Sequence, residues 1–269
     1  MGRKRIETVL VTKVTDAQRR RSPDALIVEE PMAIELDGVR VTTTMRTPGH
    51  DFELAVGFLH AEGLLGDAPV TEVRYCANGS AVETAFNIVT VSTNGVAPPA
   101  TARLTATTSS CGLCGSASIE ALTERLEPLD PQRVERFDPE TLARFPQLAT
   151  GEQALFASTG AVHAAAAFGA DGSVVCIRED VGRHNAVDKV VGRLRLDGAL
   201  PASALALYVS GRASFEIVQK AWAAGFGSVV SVSAPTALAV DTARAAGITL
   251  VGFVRERQFN VYAPERPSH

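Results

Sequence analysis

Residues 25–46 alternate between hydrophobic and polar side chains, and a period of two is typical of β-strands with one buried face. The pair Asp37-Gly38 interrupts the alternation and favours a tight hairpin turn. We therefore predict antiparallel strands over Leu26–Leu36 and Val39–Met45. The elements predicted after this hairpin are a helix that is opened by Thr47–Asp51 and stopped by Gly63, a strand over 70–76 and a strand over 85–92.

The second half of the chain alternates short apolar runs with helical patterns. A hairpin over 162–168 and 174–178 comes first, and a helix from His184 to about Arg195 follows it. The pattern then becomes βαβαβ, with strands over 204–209, 228–232 and 249–254 and helices over 214–224 and 236–246. Short strands joined by helical crossovers imply a parallel sheet with right-handed connections.

These patterns predict a mixed α/β chain with two domains. Residues 1–130 form a smaller N-terminal α+β domain that ends in a cysteine-bearing loop and a helix. Residues 131–269 form an α/β domain with βαβ units. Pro128–Pro146 is rich in proline and charge, so we interpret it as the linker into the second domain.

The composition excludes several classes of protein. The chain has 269 residues, of which 46% are hydrophobic, and none of its apolar runs approaches the roughly 18 residues of a membrane-spanning helix. Its start leads into no apolar export segment, so we expect a cytoplasmic protein without a membrane partner. Four cysteines do not make a disulfide scaffold at this length, and clustered thiols in a reduced cytosol indicate metal binding or chemistry.

The charge is distributed unevenly. Residues 1–21 carry a net charge of +5 and the remainder a net charge of −9. An acidic body argues against nonspecific binding to nucleic acid. We interpret the basic segment as an arm that is either solvated or in contact with a partner.

The strongest chemical feature is the motif Cys111-x-x-Cys114, which follows a stretch without periodicity over 93–110. Long loops without regular structure are often functional. Backbone N–H groups at the start of the helix that follows would favour a thiolate, which is the form that attacks sulfur or binds metal. We expect a reactive pair here, whereas Cys76 and Cys176 fall inside strand patterns and are predicted to be inert.

Polar residues collect where the predicted parallel strands end. In such sheets, ligands bind beyond the carboxyl ends of the strands. Two of these ends lead into helix N-termini, which favour phosphate, although serine and threonine also simply cap helices. The candidate ligand-binding residues at the three ends are Ser210, Gly211, Arg212, Ser214, Thr236, Arg255, Glu256, Arg257 and Gln258. Together they predict a phosphorylated or nucleotide-like ligand.

A fourth polar segment, 178–189, lies where a predicted strand meets a helix. Asp180 or Arg183 could orient a ligand, and His184 could donate a hydrogen bond to it. Alternatively, Asp180 caps the helix and the ionic groups of the segment satisfy one another. The sequence leaves these two interpretations open.

A zinc site is an alternative for the cysteine pair. His60-Ala61-Glu62 and Cys111-x-x-Cys114 superficially match the signature of zinc deaminases, and such a chain would be a deaminase-like hydrolase. Ser110 replaces the proline of the signature, and the gap between its two halves is wide. His60 also falls in the last turn of its predicted helix, so a helical packing role competes with a ligand role.

In its assembled motifs, the sequence closely resembles the formate dehydrogenase accessory sulfurtransferase family, FdhD. The matching segments span most of the chain in the right order: Arg46–Gly49, Ser110–Gly115, Thr159–His163, Glu179–Lys189, Ser210–Ser214, Ser231–Thr236 and Gly252–Arg255. One departure is Ala161, where relatives often carry a second glycine.

The resemblance implies a sulfur carrier. Family members take sulfur from a cysteine desulfurase as a persulfide and pass it to the molybdenum bis(molybdopterin guanine dinucleotide) cofactor before this cofactor enters apo-formate dehydrogenase. The persulfide cysteine of the family maps to Cys111. Its cofactor-binding stretch maps to Phe253, Val254, Arg255, Glu256, Arg257 and Gln258.

The resemblance further implies a C-terminal domain with a cytidine-deaminase-like fold and a homodimer. A guanine nucleotide would mimic the bound substrate, and Cys114 could release the sulfur by forming a disulfide with Cys111. A purely structural chaperone, which binds cofactor or apo-enzyme without covalent chemistry, is a second alternative.

Overall fold

The N-terminal basic segment forms part of an antiparallel ribbon. The computed structural model describes residues 3–16, 18–76, 79–99 and 125–264. In the ribbon, β1 (Ile6–Val14) pairs with β2 (Arg19–Ile27) along their whole lengths. The arm predicted from charge is therefore regular β-structure, with Leu10 and Val14 exposed on its surface.

A four-stranded sheet follows, in the order β4-β3-β6-β5. The predicted hairpin is β3 (Glu30–Leu36) with β4 (Val39–Arg46), and β6 (Ile88–Ser92) runs parallel to β3. Strand β5 (Glu72–Tyr75) closes one edge. Helix α1 (Asp51–Ala61) covers the sheet, and its Leu54, Val56 and Leu59 are fully buried there because they share the apolar core of the strands.

The larger sheet has six strands in the order β12-β11-β10-β9-β7-β8. The parallel strands predicted from the βαβαβ pattern are its centre, and antiparallel strands flank them on both sides. The strands are β7 (His163–Phe168), β8 (Val174–Asp180), β9 (Ala206–Val209), β10 (Ser228–Ser231), β11 (Thr249–Arg255) and β12 (Gln258–Ala263).

Helices lie on both faces of this sheet. Helix α2 (Pro139–Glu152), followed by the short α3 (Ala154–Thr159), buries Leu142 and Phe145 against one face. The other face packs against α4 (Arg183–Leu196), α5 (Phe215–Ala223) and α6 (Ala237–Ala246). The C-terminal part is therefore a three-layer arrangement, as expected for a sheet whose strands are apolar on both sides.

Two glycines let α1 and α4 approach closely. A Cβ atom on Gly57 would lie 1.8 Å from the backbone oxygen of Asp188, and one on Gly192 would lie 1.8 Å from the backbone oxygen of Glu53. No side chain fits at either position. The backbones of the two helices are thus in direct contact, and this contact joins the smaller sheet to the larger one.

The structure confirms the mixed α/β class and corrects several element boundaries. Residues 26–27 belong to the ribbon and not to the predicted hairpin strand. The linker prediction over Pro128–Pro146 is wrong from Pro139 onward, because Asp138 caps a helix there by accepting the N–H groups of Glu140 and Thr141. Strand β12 was not predicted. Across the described residues, every helix is too short or too polar to span a lipid bilayer.

We expect Gly192→Ala to destabilise the protein, because the new methyl group forces the backbones of α1 and α4 apart. Overpacking of this kind costs about 1–3 kcal/mol of unfolding free energy. Chemical denaturation measures the change. Gly151→Ala is the matched control: it lies in α2 with nothing within 4 Å of the added methyl group, so it should be neutral or slightly stabilising. Equal effects of the two substitutions would contradict the packing argument.

A second connection between the two sheets is the ion pair of Glu53, on α1, with Arg178, on β8. Burial alone would raise the pKa of Glu53, but hydrogen bonds from Arg178 and His50 outweigh it and lower the pKa to about 2. A carboxylate with a lowered pKa stabilises the fold above its unfolded-state pKa, and this stabilisation is lost as the pH falls towards about 2.

We therefore expect Glu53→Gln to cost about 1–3 kcal/mol at neutral pH, and we expect its difference from the wild type to shrink between about pH 4.5 and about pH 2.5. Urea titrations across this range measure the difference. A gap between the two proteins that stays constant with pH would show that the Glu53 charge does not support the native state.

Candidate functional site

One edge of the six-stranded sheet gathers residues from all six strands, since β12 also begins there, with Gln258. The parallel strands β9, β10 and β11 end there, and β8 ends there as well, because it is antiparallel to β7. Strand β7 runs against β9 and therefore begins at the same edge, with His163. We call this the strand-end edge. It brings together the segments predicted from sequence over 180–184, 210–214 and 253–258, and the loop before Thr236.

Hydrogen bonds connect the loops at the strand-end edge. The Ser231 hydroxyl lies 2.7 Å from the backbone oxygen of Gly211, to which it donates. Thr236 donates its backbone N–H to the oxygen of Ala213 at 3.0 Å, and Phe253 donates its own to the oxygen of Ser233 at 3.2 Å. The three loops after the parallel strands therefore hold one another in place.

The segment Phe253–Gln258 comprises the end of β11, the two-residue turn Glu256-Arg257 and the first residue of β12. Register is irregular between Gly252 and Arg255, and Phe253 and Glu256 both have positive φ angles, of 56° and 53°. This conformation leaves the Phe253 side chain 42% exposed, while Val254 stays buried in the sheet. A cavity of about 640 Å³ opens at the turn, lined by Pro139, Phe253, Arg257, Gln258, Phe259 and Asn260.

Asp180 is fully buried at the strand-end edge. One of its oxygens pairs with the Lys189 ammonium at 2.7 Å and accepts the Thr47 N–H at 3.1 Å. The other accepts the N–H of Gly182 and an amide hydrogen of Asn185. Four donors occupy the carboxylate, which favours the interpretation that the ionic groups of this segment satisfy one another. Asp180 orients the residues around it.

His163, Arg183 and His184 lie close to the β9–α5 loop. His184 is buried, and its Nε2 atom lies 2.9 Å from Oε2 of Glu216 and 3.1 Å from the hydroxyl of Ser214. His163 Nδ1 lies 3.5 Å from the hydroxyl of Ser210, which accepts the Ala164 N–H. Burial, with Arg183 and His184 nearby, lowers the pKa of His163.

The remaining candidates differ in their roles. Thr236 caps α6, since its hydroxyl accepts the Ala239 N–H at 3.2 Å. Ser214 precedes α5 without a side-chain capping bond and contacts His184 instead. Arg212 is exposed on the same loop, as are Arg255 and Arg257 on theirs. The edge thus presents cationic side chains to solvent above a fixed backbone.

Cys111 and Cys114 lie outside the described residues. Both flanks of their segment are anchored near the end of α1: Arg125 donates to the backbone oxygen of Glu62 at 3.1 Å, and the ring of Pro98 lies against Gly66. Trp222 donates to the backbone oxygen of Glu127, two residues after Arg125. The segment therefore leaves and rejoins the described structure at the end of α1 remote from the strand-end edge.

The alternative zinc ligands contact other groups. His60 Nε2 lies 3.0 Å from the backbone oxygen of Ala223, and burial lowers the pKa of His60. Glu62 is buried near Lys220. Within the described ranges, no group of three or more His, Cys, Asp or Glu side chains could hold a metal ion. Burial raises the pKa of Cys176, in keeping with an inert thiol.

His163 was not among the predicted site residues, although its motif was part of the resemblance. An antiparallel strand between β8 and β9 places its first residue, and not its last, at the strand-end edge. The predicted hairpin over 162–168 and 174–178 already implied that these two strands run in opposite directions, so the direction of β7 is the signal that could have found His163.

The fold and the strand-end edge define a mixed α/β protein in which polar and aromatic residues collect where parallel strands end. Comparison with known proteins identifies the group within that class. The chain belongs to the FdhD/NarQ family, whose profile matches residues 27–267. The resemblance inferred from its motifs is thereby confirmed at the level of the family.

Named relatives support this membership. A protein of Streptomyces avermitilis called sulfur carrier protein FdhD is 49% identical over 262 residues, which are 95% of this chain and 93% of the relative. A protein of Mycobacterium tuberculosis with the same name is 47% identical over 252 residues, 89% of this chain and 90% of the relative.

The fold also matches a crystal structure described as that of a formate dehydrogenase accessory protein from Desulfotalea psychrophila. The TM-score is 0.78 at 23% identity, and the match covers 96% of this chain and 97% of that one. At this identity the likeness concerns the fold, and it extends over both sheets.

We expect Asp180→Asn to cost about 3–5 kcal/mol of unfolding free energy, because it leaves the buried Lys189 ammonium without its counter-charge. Chemical denaturation of the purified variant measures the loss. Asp197→Asn is the control, since Asp197 pairs with Arg193 where both side chains are nearly half exposed, and such pairs are worth about 0.2–1 kcal/mol. Equal losses in the two variants would overturn the assignment of Asp180.

Proposed function

We propose that this protein is a sulfur carrier that accepts sulfur from a cysteine desulfurase on Cys111 and transfers it to molybdenum bis(molybdopterin guanine dinucleotide), the cofactor destined for formate dehydrogenase. Family membership over nearly the whole chain, among relatives named sulfur carrier protein FdhD, carries this proposal. The pair Cys111 and Cys114 supplies the chemistry that a sulfur carrier needs.

Sulfur exchange requires a thiolate that can reach two partners. The Cys111 thiolate would attack the outer sulfur of the desulfurase persulfide, and the sulfur–sulfur bond of the donor would break as its cysteine leaves as a thiolate. Cys111 then holds the persulfide. Attack by the Cys114 thiolate on the inner sulfur would form a Cys111–Cys114 disulfide and release the outer sulfur as hydrosulfide, and a cellular thiol would later reduce the disulfide.

The length of the cysteine segment is compatible with delivery to the strand-end edge. The segment leaves the described structure near the end of α1, and a helix of 11 residues is about 16 Å long. Twelve residues separate position 99 from Cys111, and an extended chain of that length spans at most about 40 Å. Chain length alone therefore does not prevent Cys111 from reaching a substrate at that edge.

The chemical character of the edge fits an anionic nucleotide substrate. Phe253 offers an exposed aromatic face for a guanine base, and Arg257 beside it offers a guanidinium for phosphate oxygens. The cavity at this turn is bordered by Gln258 and Asn260, whose amides can bond to the edge of a base. Phe253, Arg257 and Gln258 belong to the stretch to which the family resemblance assigns cofactor binding, and Asn260 lies just beyond it.

The proposal includes the partners implied by this role. They are a cysteine desulfurase as donor, apo-formate dehydrogenase as the destination of the cofactor, and a second copy of the chain in a cytoplasmic homodimer. No nucleic-acid partner is proposed, in keeping with the net charge of −4.

We expect Cys111→Ala to abolish sulfur loading without loss of the fold. The measurement is the intact mass after incubation with a cysteine desulfurase and free cysteine. The wild type should gain one sulfur atom that a thiol reductant removes, because a persulfide is a reducible sulfur–sulfur bond. Cys76→Ala is the matched control and should still gain the sulfur.

The same experiment separates the alternatives. A Cys111→Ala variant that still acquires sulfur, or that supports undiminished formate dehydrogenase activity in a cell lacking the wild-type protein, would contradict the carrier role and favour a non-covalent chaperone. A zinc hydrolase would instead contain about one zinc ion per chain, which would be lost in His60→Ala.

A further inference from the structure

One arginine at the strand-end edge has an unsatisfied hydrogen-bond donor. The Nε atom of Arg183 is buried and has no hydrogen-bond partner in the described part of the chain. Buried side-chain donors are rarely left without a partner, because desolvation of an N–H group without a compensating bond costs about 1–3 kcal/mol. Within the described residues, no carboxylate lies within 4 Å of the Arg183 guanidinium either.

Three groups surround this arginine. A Cβ atom added to Gly211 would lie 3.3 Å from Cδ of Arg183 and 3.4 Å from the His163 ring. Burial lowers the pKa of His163, and Arg183 and His184 add to this effect because the three side chains are close in space. We call the region formed by His163, Arg183, His184 and Gly211 the Arg183 notch.

The carboxylates near the notch are already paired. Asp180 is near enough to His163 to influence its pKa, but it is paired with the Lys189 ammonium at 2.7 Å. Glu216 lies 2.9 Å from the His184 ring. The notch is therefore an electropositive site at the strand-end edge, and it contains one unsatisfied hydrogen-bond donor. An anion bound there would accept that hydrogen bond.

We propose that the Arg183 notch binds a phosphate group of the nucleotide part of the substrate, with Arg183 and His163 as its donors. This inference rests on the proposed function, because it assigns one subsite of the nucleotide proposed there. Gly211 has no side chain, so its backbone lies directly against Arg183 and His163, and a methyl group there would push on both. His163, whose pKa is lowered by burial and by the Arg183 guanidinium, becomes the group that responds to an incoming negative charge.

The test compares GDP with guanosine by isothermal titration calorimetry on the full-length protein. Arg183→Gln should weaken GDP binding about 10-fold or more, the usual range for a hydrogen bond to a charged group. Guanosine binding should not change, because guanosine lacks the phosphates. Arg144→Gln, which removes an exposed arginine of α2, is the control for the general loss of one positive charge and should bind GDP as the wild type does.

A second readout follows His163 directly. Titration of the histidine ring signals by NMR should show the pKa of His163 rising when inorganic pyrophosphate is added, since an anion favours the protonated ring. This rise should be absent in Arg183→Gln. A His163 pKa that is unaffected by pyrophosphate in the wild type would overturn the assignment.

A third variant keeps the inference testable if Arg183→Gln does not fold. Gly211→Ala keeps every charge but places a methyl group against Arg183 and His163, so it should also weaken GDP binding while leaving guanosine binding intact. Unchanged GDP affinity in both variants, or no GDP binding by the wild type, would overturn the inference. Sulfur loading of Cys111 is measured independently, so failure of the notch and failure of the carrier role give different results.

Discussion

The ion pair of Lys189 with Asp180 is the interaction on which the strand-end edge depends. Both side chains are fully buried, and each also bonds to the loop before α1: Lys189 donates to the Thr47 oxygen and Asp180 accepts the Thr47 N–H. The Val181 N–H donates a hydrogen bond to the Thr47 hydroxyl. A single buried charge pair thus fixes the end of β8, the start of α4 and the entry to α1 relative to one another, and the basic residues that follow Asp180 take their positions from it.

A second group of buried charges anchors the other end of that loop. Arg46 is fully buried and makes a two-pronged contact with Asp51, whose carboxylate also accepts the Tyr75 hydroxyl. Buried pairs of this kind add little net stability but are costly to break. Buried charged groups therefore hold residues 46–51 at both ends. They keep this loop, which contains glycine and proline, in one conformation against the larger sheet.

Much of the fold could be predicted from the sequence because the hydrophobic periods were strong. The βαβαβ pattern and the hairpin at Asp37-Gly38 follow from local residue types. The helix at Pro139–Glu152 was missed because the proline and charge content of 128–146 indicated a linker, whereas burial of Phe145 against the larger sheet overrode that local preference. The strand-end edge was predicted from chain direction alone. The pairing of Asp180 within its own segment was one of two interpretations that the sequence left open, and its bond to Thr47 could not be predicted because Thr47 is remote in the chain.

The two glycines at the contact of α1 with α4 have a consequence for how the chain can be divided. Because the two backbones touch, each helix has a groove that fits only the other helix. Peptide groups as well as apolar atoms line this groove. A fragment that begins near residue 131 would expose such a groove on α4 to water, together with the unmatched partners of Glu53 and Thr47. The contact between α1 and α4 therefore joins the two sheets into one folding unit, and Leu126 and Leu129, which precede the predicted boundary, pack against the core of the larger sheet.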